Sequence, residues 1–212
     1  MGSKKIIVMT ESSKFKNNCV AGIDVNTGEW IRIVSNDVET YGALTDEDIT
    51  YADGTRCQVL DIVDVPVISR ASTSSQPENV LIDRRYYIEK QGKATLGDVL
   101  LMHPDEKHDY LFGTRYSSVK EEYLESRGVD YSLALIKGEN VEFSWKPNND
   151  GQLKLKINFF YNGIEYTDMS VTDPEFYGVE NGVRFRAVYM VVSIGTPYKG
   201  ACYKFVAKIF PV

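Results

Sequence analysis

Cys19-Val-Ala-Gly-Ile-Asp-Val-Asn-Thr-Gly-Glu-Trp-Ile-Arg-Ile-Val34 decides the fold, because two apolar, β-branched runs flank a turn signal at Asn26-Thr27-Gly28. Glycine at the third position of a three-residue hairpin loop supplies the left-handed conformation that such a loop requires. Counting outward from that loop sets Val25 opposite Glu29, Asp24 opposite Trp30, Ile23 opposite Ile31 and Gly22 opposite Arg32. One face then carries Ala21, Ile23, Ile31 and Ile33 and turns toward a core. The other carries Asp24, Trp30, Arg32 and Val34 and is mixed.

Strand signals continue on both sides of this hairpin. Ile6 to Met9 is a short apolar run, and Gln58 to Ile68 is apolar on both faces, the pattern of an enclosed strand that ends near Pro66. The signals between residues 70 and 130 are helical: Asp83 before Arg84 to Lys90, Thr95 before Leu96 to Met102, and Ser118 with Glu121 as a capping box closed by Gly128. Strands then return. Leu153, Leu155, Ile157 and Phe159 alternate with Lys154, Lys156 and Asn158, and Asn162-Gly163 turns the chain into Ile164 to Val171. Val183, Phe185, Ala187, Tyr189 and Val191 share one expected face, as do Tyr203, Phe205, Ala207 and Ile209 in the last strand. Short strands with turns about every ten residues imply an antiparallel sandwich or barrel.

The 212 residues suffice for two modest cores, and no stretch approaches the roughly 20 apolar residues that span a bilayer. The N-terminal apolar run is too short for a signal peptide, and Cys19, Cys57 and Cys202 are an odd set at unrelated spacings, so a cytoplasmic protein with reduced thiols is expected. A net charge of −6 argues against a basic coat for nucleic acid. The charge is uneven, however: residues 1–35 and 184–212 together sum to +7 and the remainder to −13. The terminal segments would form a basic face if they met.

Cys19-Val-Ala-Gly22, Glu29-Trp-Ile-Arg-Ile-Val-Ser35, Leu60-Asp-Ile-Val-Asp-Val-Pro66, Pro77-Glu-Asn79, Val171-Thr-Asp-Pro174 and Ser193-Ile-Gly-Thr-Pro-Tyr-Lys-Gly-Ala-Cys-Tyr-Lys204 resemble, in order, a family of bacterial proteins described as carrying a dual OB-containing domain. The sequence departs from that pattern at Ile33, where proline is expected. The resemblance implies a mainly β fold of two OB-like antiparallel barrels. The expected division is a first unit over residues 1–75, a partly helical connection over 76–130 and a second unit over 131–212. OB barrels often hold oligonucleotides or oligosaccharides, so the implied partner is single-stranded DNA or RNA, with a protein partner or small ligand as the alternative.

No catalytic constellation assembles. The two histidines, His103 and His108, could join Asp105 or Asp109 around a metal, but their spacing fits no zinc or iron pattern. Neither a Walker loop nor GxGxxG, HExxH or GxSxG occurs, so no cofactor and no metal is expected. Asp61 and Asp64 fall on opposite faces of a strand, and each requires a partner such as Arg32 or Arg56. The expected nucleic-acid-binding residues are Trp30 and Arg32 on the hairpin's mixed face, Lys14 and Lys16 in the loop before it, and Tyr198 and Lys204 near the C-terminus. The alternative for Trp30 is packing, and for Arg32 an ion pair with Asp24 or Asp61.

Overall fold

The computed structural model describes residues 2–14, 17–148 and 150–212. Its chain forms two compact units, Met1–Thr73 with Pro77–Pro104, and Ser74–Gln76 with Asp105–Val212. The first contains strands β1 (Gly2–Lys14), β2 (Asn17–Asp24), β3 (Trp30–Val34), β4 (Asp61–Arg70), β5 (Asn79–Ile82) and β6 (Glu89–Lys93), followed by helix α1 (Leu96–Met102). The second contains β7 (Ser118–Lys120), helix α2 (Glu121–Arg127), β8 (Leu133–Pro147), β9 (Leu153–Tyr161), β10 (Ile164–Val171), β11 (Arg184–Ile194) and β12 (Ala201–Pro211).

Both units close by the same ring of pairings. In the first, β1 pairs with β2, β2 with β3, β3 in parallel with β5, β5 with β4, and β4 back with β1. In the second, β8, β9, β10, β12 and β11 repeat that order, and β10 to β12 is again the parallel pair. This is the five-strand barrel order of an OB fold, as the resemblance implies. A first unit ending at residue 75 would lack its closing strand. The structure therefore assigns β5, β6 and α1 to the first barrel, and the segment expected as a connection is divided between the units.

Each barrel has its own core. Ile6, Val8, Val20, Ile31, Ile33, Val63 and Val65 meet inside the first, and Ile136, Phe143, Ile157, Phe159, Met190, Val192 and Val206 inside the second. The hairpin register corrects the sequence reading by one residue: Ile23 faces Trp30, Gly22 faces Ile31 and Ala21 faces Arg32. Asp24 N–H donates to Glu29 O and Gly28 N–H to Asp24 O, so the loop has four residues rather than three. Ile31 and Ile33 face the core as expected, but the one-residue slip exchanges the faces of β2, which turns Val20 inward and sets Ala21 and Ile23 beside Trp30 and Arg32. Gly22 opens no space beside Arg32, because a Cβ there would lie 2.3 Å from Ile7 O.

Other expectations also change. Arg84 to Tyr86 forms a turn and Glu89 and Lys90 already belong to β6, whereas Leu96–Met102 is helical with a Thr95–Asp98 capping box. Helix α2 begins after Lys120, with Ser118 in β7 and Gly128 at its C-cap. Strand β4 runs through Pro66 to Arg70, and only its Asp61, Val63 and Val65 side is fully buried. Along β11 the core takes Val188, Met190, Val192 and Ile194 instead of the alternate set. A bulge between Val191 and Val192 makes Ala207 an extra residue in β12, so Cys202, Lys204 and Val206 are buried while Tyr203 is exposed.

Candidate nucleic-acid interface

OB barrels use the outer face of their second and third strands, together with the loops joining strands one to two and four to five. In the first barrel that face is β2 and β3, and it is closed. Trp30 is 7% exposed, and its ring meets the His103 ring edge-on at 5.5 Å between centroids. His103 follows α1 and sets Nδ1 2.8 Å from Gly28 O. Gly28 has a positive φ and lies close under Met102 O, so the hairpin tip and the helix end clasp each other over the tryptophan. Arg32 is 8% exposed; burial lowers its pKa, opposed by the facing Glu78 carboxylate. The mixed, open face expected of Trp30 and Arg32 is thus an enclosed one. Lys14 ends β1, and Lys16 lies outside the described residues.

The corresponding face of the second barrel is open. Along β9, Leu155, Ile157 and Phe159 enter the core while Lys154, Lys156, Asn158 and Phe160 point away from it. Lys146 of β8 stands opposite Lys154, and Ser144 opposite Lys156. Lys146 pairs with Asp168 of β10, and Lys156 Nζ donates to Ser170 Oγ at 2.8 Å. Burial and the neighbouring Lys146 and Lys154 hold the pKa of Lys156 below the usual lysine value, against the pull of Asp168. Lys146, Lys154 and Lys156 cluster at one end of this face around the single carboxylate of Asp168, whereas Glu142, Glu139 and Glu165 stand opposite Asn158 and Phe160 toward its other end.

The loop joining the fourth and fifth strands of the second barrel carries Tyr198. Tyr198 and Ala201 exchange backbone hydrogen bonds around Lys199 and Gly200, both at positive φ, and this tight turn leaves the phenol 59% exposed. Lys199 Nζ sits 5.2 Å from the centre of its ring. Lys204 is placed differently: it is 1% exposed, donates to Thr114 O, and lies 5.3 Å from the Tyr166 ring centre and 6.0 Å from that of Phe112. Burial pushes its pKa down to about 7.

Of the six sequence candidates, Trp30 and Arg32 belong to the closed face, Lys204 to a barrel interior, and Tyr198 to an exposed loop. Lys146, Lys154, Lys156 and Lys199 were not among them. The alternation of Lys154 and Lys156 with core residues is the signal that marks that strand's outer face. Asp61 is buried against Lys90 Nζ at 2.7 Å and Tyr51 Oη at 2.8 Å, while Arg56 pairs with Glu11 and Asp46. Its role is structural with a different partner from either arginine expected. His103 and His108 have separate contacts, the latter on Glu106 at 2.8 Å and stacked on Tyr131. Among the described residues no cluster of metal-ligating side chains occurs, and no helix is long and apolar enough to cross a membrane.

No curated protein sequence matches the chain. Among solved structures it is similar to the p204 HINb domain, with 10% identity, a TM-score of 0.40 and coverage of 97% of this chain and 96% of that one. It is also similar to the tetrameric p202 HIN2, with 8% identity, a TM-score of 0.35 and coverage of 100% and 92%. Neither likeness bears on what the chain binds. A model of the dual OB-containing domain matches residues 4–209. With that match over nearly the whole chain and two barrels of one strand order, the protein belongs to the dual OB-containing domain family.

Proposed function

We propose that this chain is a cytoplasmic nucleic-acid-binding accessory protein, and that its second barrel holds single-stranded or structured nucleic acid. The observation that carries the reading is the open outer face of β9, where Lys154 and Lys156 join Lys146 on the side that OB barrels use for oligonucleotides. The lysines would meet successive phosphates, and Tyr198 in the connection from β11 to β12 offers an exposed ring on which a base further along the strand can stack. Trp30, Arg32 and Lys204 contribute to this function by shaping the barrels.

Fluorescence anisotropy with a labelled single-stranded oligonucleotide across a salt series tests the proposal. Each phosphate contact contributes about 0.7 to the slope of log affinity against log salt for single strands. Replacing Lys146, Lys154 and Lys156 together by alanine is expected to flatten that slope by about 2. Tyr198→Ala is expected to weaken binding by roughly 5-fold or more with the slope unchanged. Absence of binding by the unaltered protein at low salt, or an unchanged slope in the triple variant, rejects the reading.

A further inference from the structure

The first barrel carries a cleft of about 500 Å³ between the turn that follows β3 and the Asp83-Arg84-Arg85-Tyr86-Tyr87 segment. All of its lining residues belong to the first unit. Residues 35–50 contain Asp37, Glu39, Asp46, Glu47 and Asp48 and no basic residue. The arginines at this cleft are already engaged. Arg84 donates to both oxygens of Asp48 at 2.6 Å and approaches Asp37 at 3.4 Å. Arg85 donates to both oxygens of Asp83 at 2.8 and 2.7 Å. Guanidinium groups held bidentate in this way have few donors left for a phosphate, so the site disfavours an anion.

Its aromatic walls point the same way. Tyr86 is 53% and Tyr87 59% exposed, and the adjoining turn presents Val38 and Tyr41 to solvent as well. The Arg85 guanidinium already lies 5.8 Å from the centre of the Tyr86 ring, so one ring of the cleft has a guanidinium near it. Exposed tyrosines beside carboxylates attract organic cations through ring quadrupole and charge together, and tyrosine is enriched at protein interfaces.

We propose that this cleft docks a basic segment of a protein partner by taking one of its arginine or lysine side chains between Tyr87 and the Glu47 carboxylate. Charge complementarity selects the occupant: the ion pairs of Arg84 and Arg85 engage Asp37, Asp48 and Asp83, and the exposed Glu47 is the lining carboxylate that, among the described residues, faces solvent without an arginine beside it. Such a surface gives the chain a protein-binding site in addition to, and independent of, its nucleic-acid reading.

The test uses the full chain and a fluorescein-labelled Arg-Gly-Arg-Gly-Arg-Gly peptide, with a citrulline version as the uncharged control. Binding at about 50 mM salt that weakens as salt rises, and that is at least about 10-fold weaker for the citrulline peptide, supports the proposal. Tyr87→Ala and Glu47→Gln should each weaken it by about 3-fold, and Lys154→Ala should leave it unchanged. These side chains lie at the surface, so the variants retain the fold. Absence of binding, equal binding of the citrulline peptide, or insensitivity to both cleft variants overturns the proposal. Loss of oligonucleotide affinity in Tyr87→Ala would instead make the cleft part of a nucleic-acid site, and also overturns it.

Discussion

Lys204 occupies the interior of the second barrel with a backbone carbonyl and two aromatic faces around its ammonium group. Desolvation of that charge lowers the pKa from 10.5 to about 7. The unfolded chain therefore binds more protons than the folded one between these values, and stability must rise with pH through that window. Thermal melting from about pH 7 to about pH 9.5 should show this rise, and Lys204→Met should flatten it. The same substitution should stabilise the protein near pH 7 by about 1 to 4 kcal/mol, because a buried charge is replaced by an apolar side chain of similar length. Trp30 is the opposite case. Its enclosed ring predicts that Trp30→Ala costs about 3 to 5 kcal/mol, read as a large fall in melting temperature. A stable Trp30→Ala protein with weakened oligonucleotide binding would return that residue to a binding face.

At the scale of elements, the barrels depend on register. Strand β1 is shared, with Ile6–Lys14 lying on β2 and Gly2–Ile7 on β4, and its bulge between Val8 and Thr10 lets one strand serve both neighbours. Gly22 in β2 has no room for a side chain, since a Cβ there would lie 2.3 Å from Ile7 O of β1. Gly22→Ala should therefore force β1 and β2 apart and cost about 1 to 3 kcal/mol, measurable by urea unfolding. A neutral substitution would mean that the strands separate there without penalty. Register was also the least legible feature of the sequence. Asn26-Thr27-Gly28 marks the turn correctly, but a four-residue loop and a three-residue loop share that signal and place opposite faces inward. The same holds in β12, where an extra residue at Ala207 reverses a strict alternation between Lys204 and Ile209.

For the molecule as a whole, both units are acidic: eleven basic and fifteen acidic side chains in the first, thirteen and fifteen in the second. A polyanion approaching from a distance meets net repulsion, and only at contact does it meet the lysines of β8 and β9. Association with an oligonucleotide should therefore gain little from steering. Stopped-flow measurements are expected to show an on-rate nearly insensitive to salt between about 50 and 200 mM, while the off-rate rises. An on-rate that falls steeply over that range would place a larger basic surface on the molecule than the β8–β9 strip.

The sequence by itself determined most of the strands and turns outside residues 70–130, because apolar alternation and turn chemistry are local properties that neighbouring residues carry, while the number of barrels followed from the family resemblance. It also showed the lysines alternating with the core residues Leu155 and Ile157 of β9, since that strand keeps one register with β8 from Leu153 to Asn158. Only the tertiary structure decided which strand closes each ring, which faces point inward, and that the β2–β3 face is closed while the β9 face is open. Those outcomes depend on loop length, bulges and pairing between residues far apart in the chain, which leave no periodic trace. Trp30 and Lys154 each occupy the outer side of a barrel strand, yet one is enclosed and the other exposed, because burial is set by what the rest of the chain lays over them.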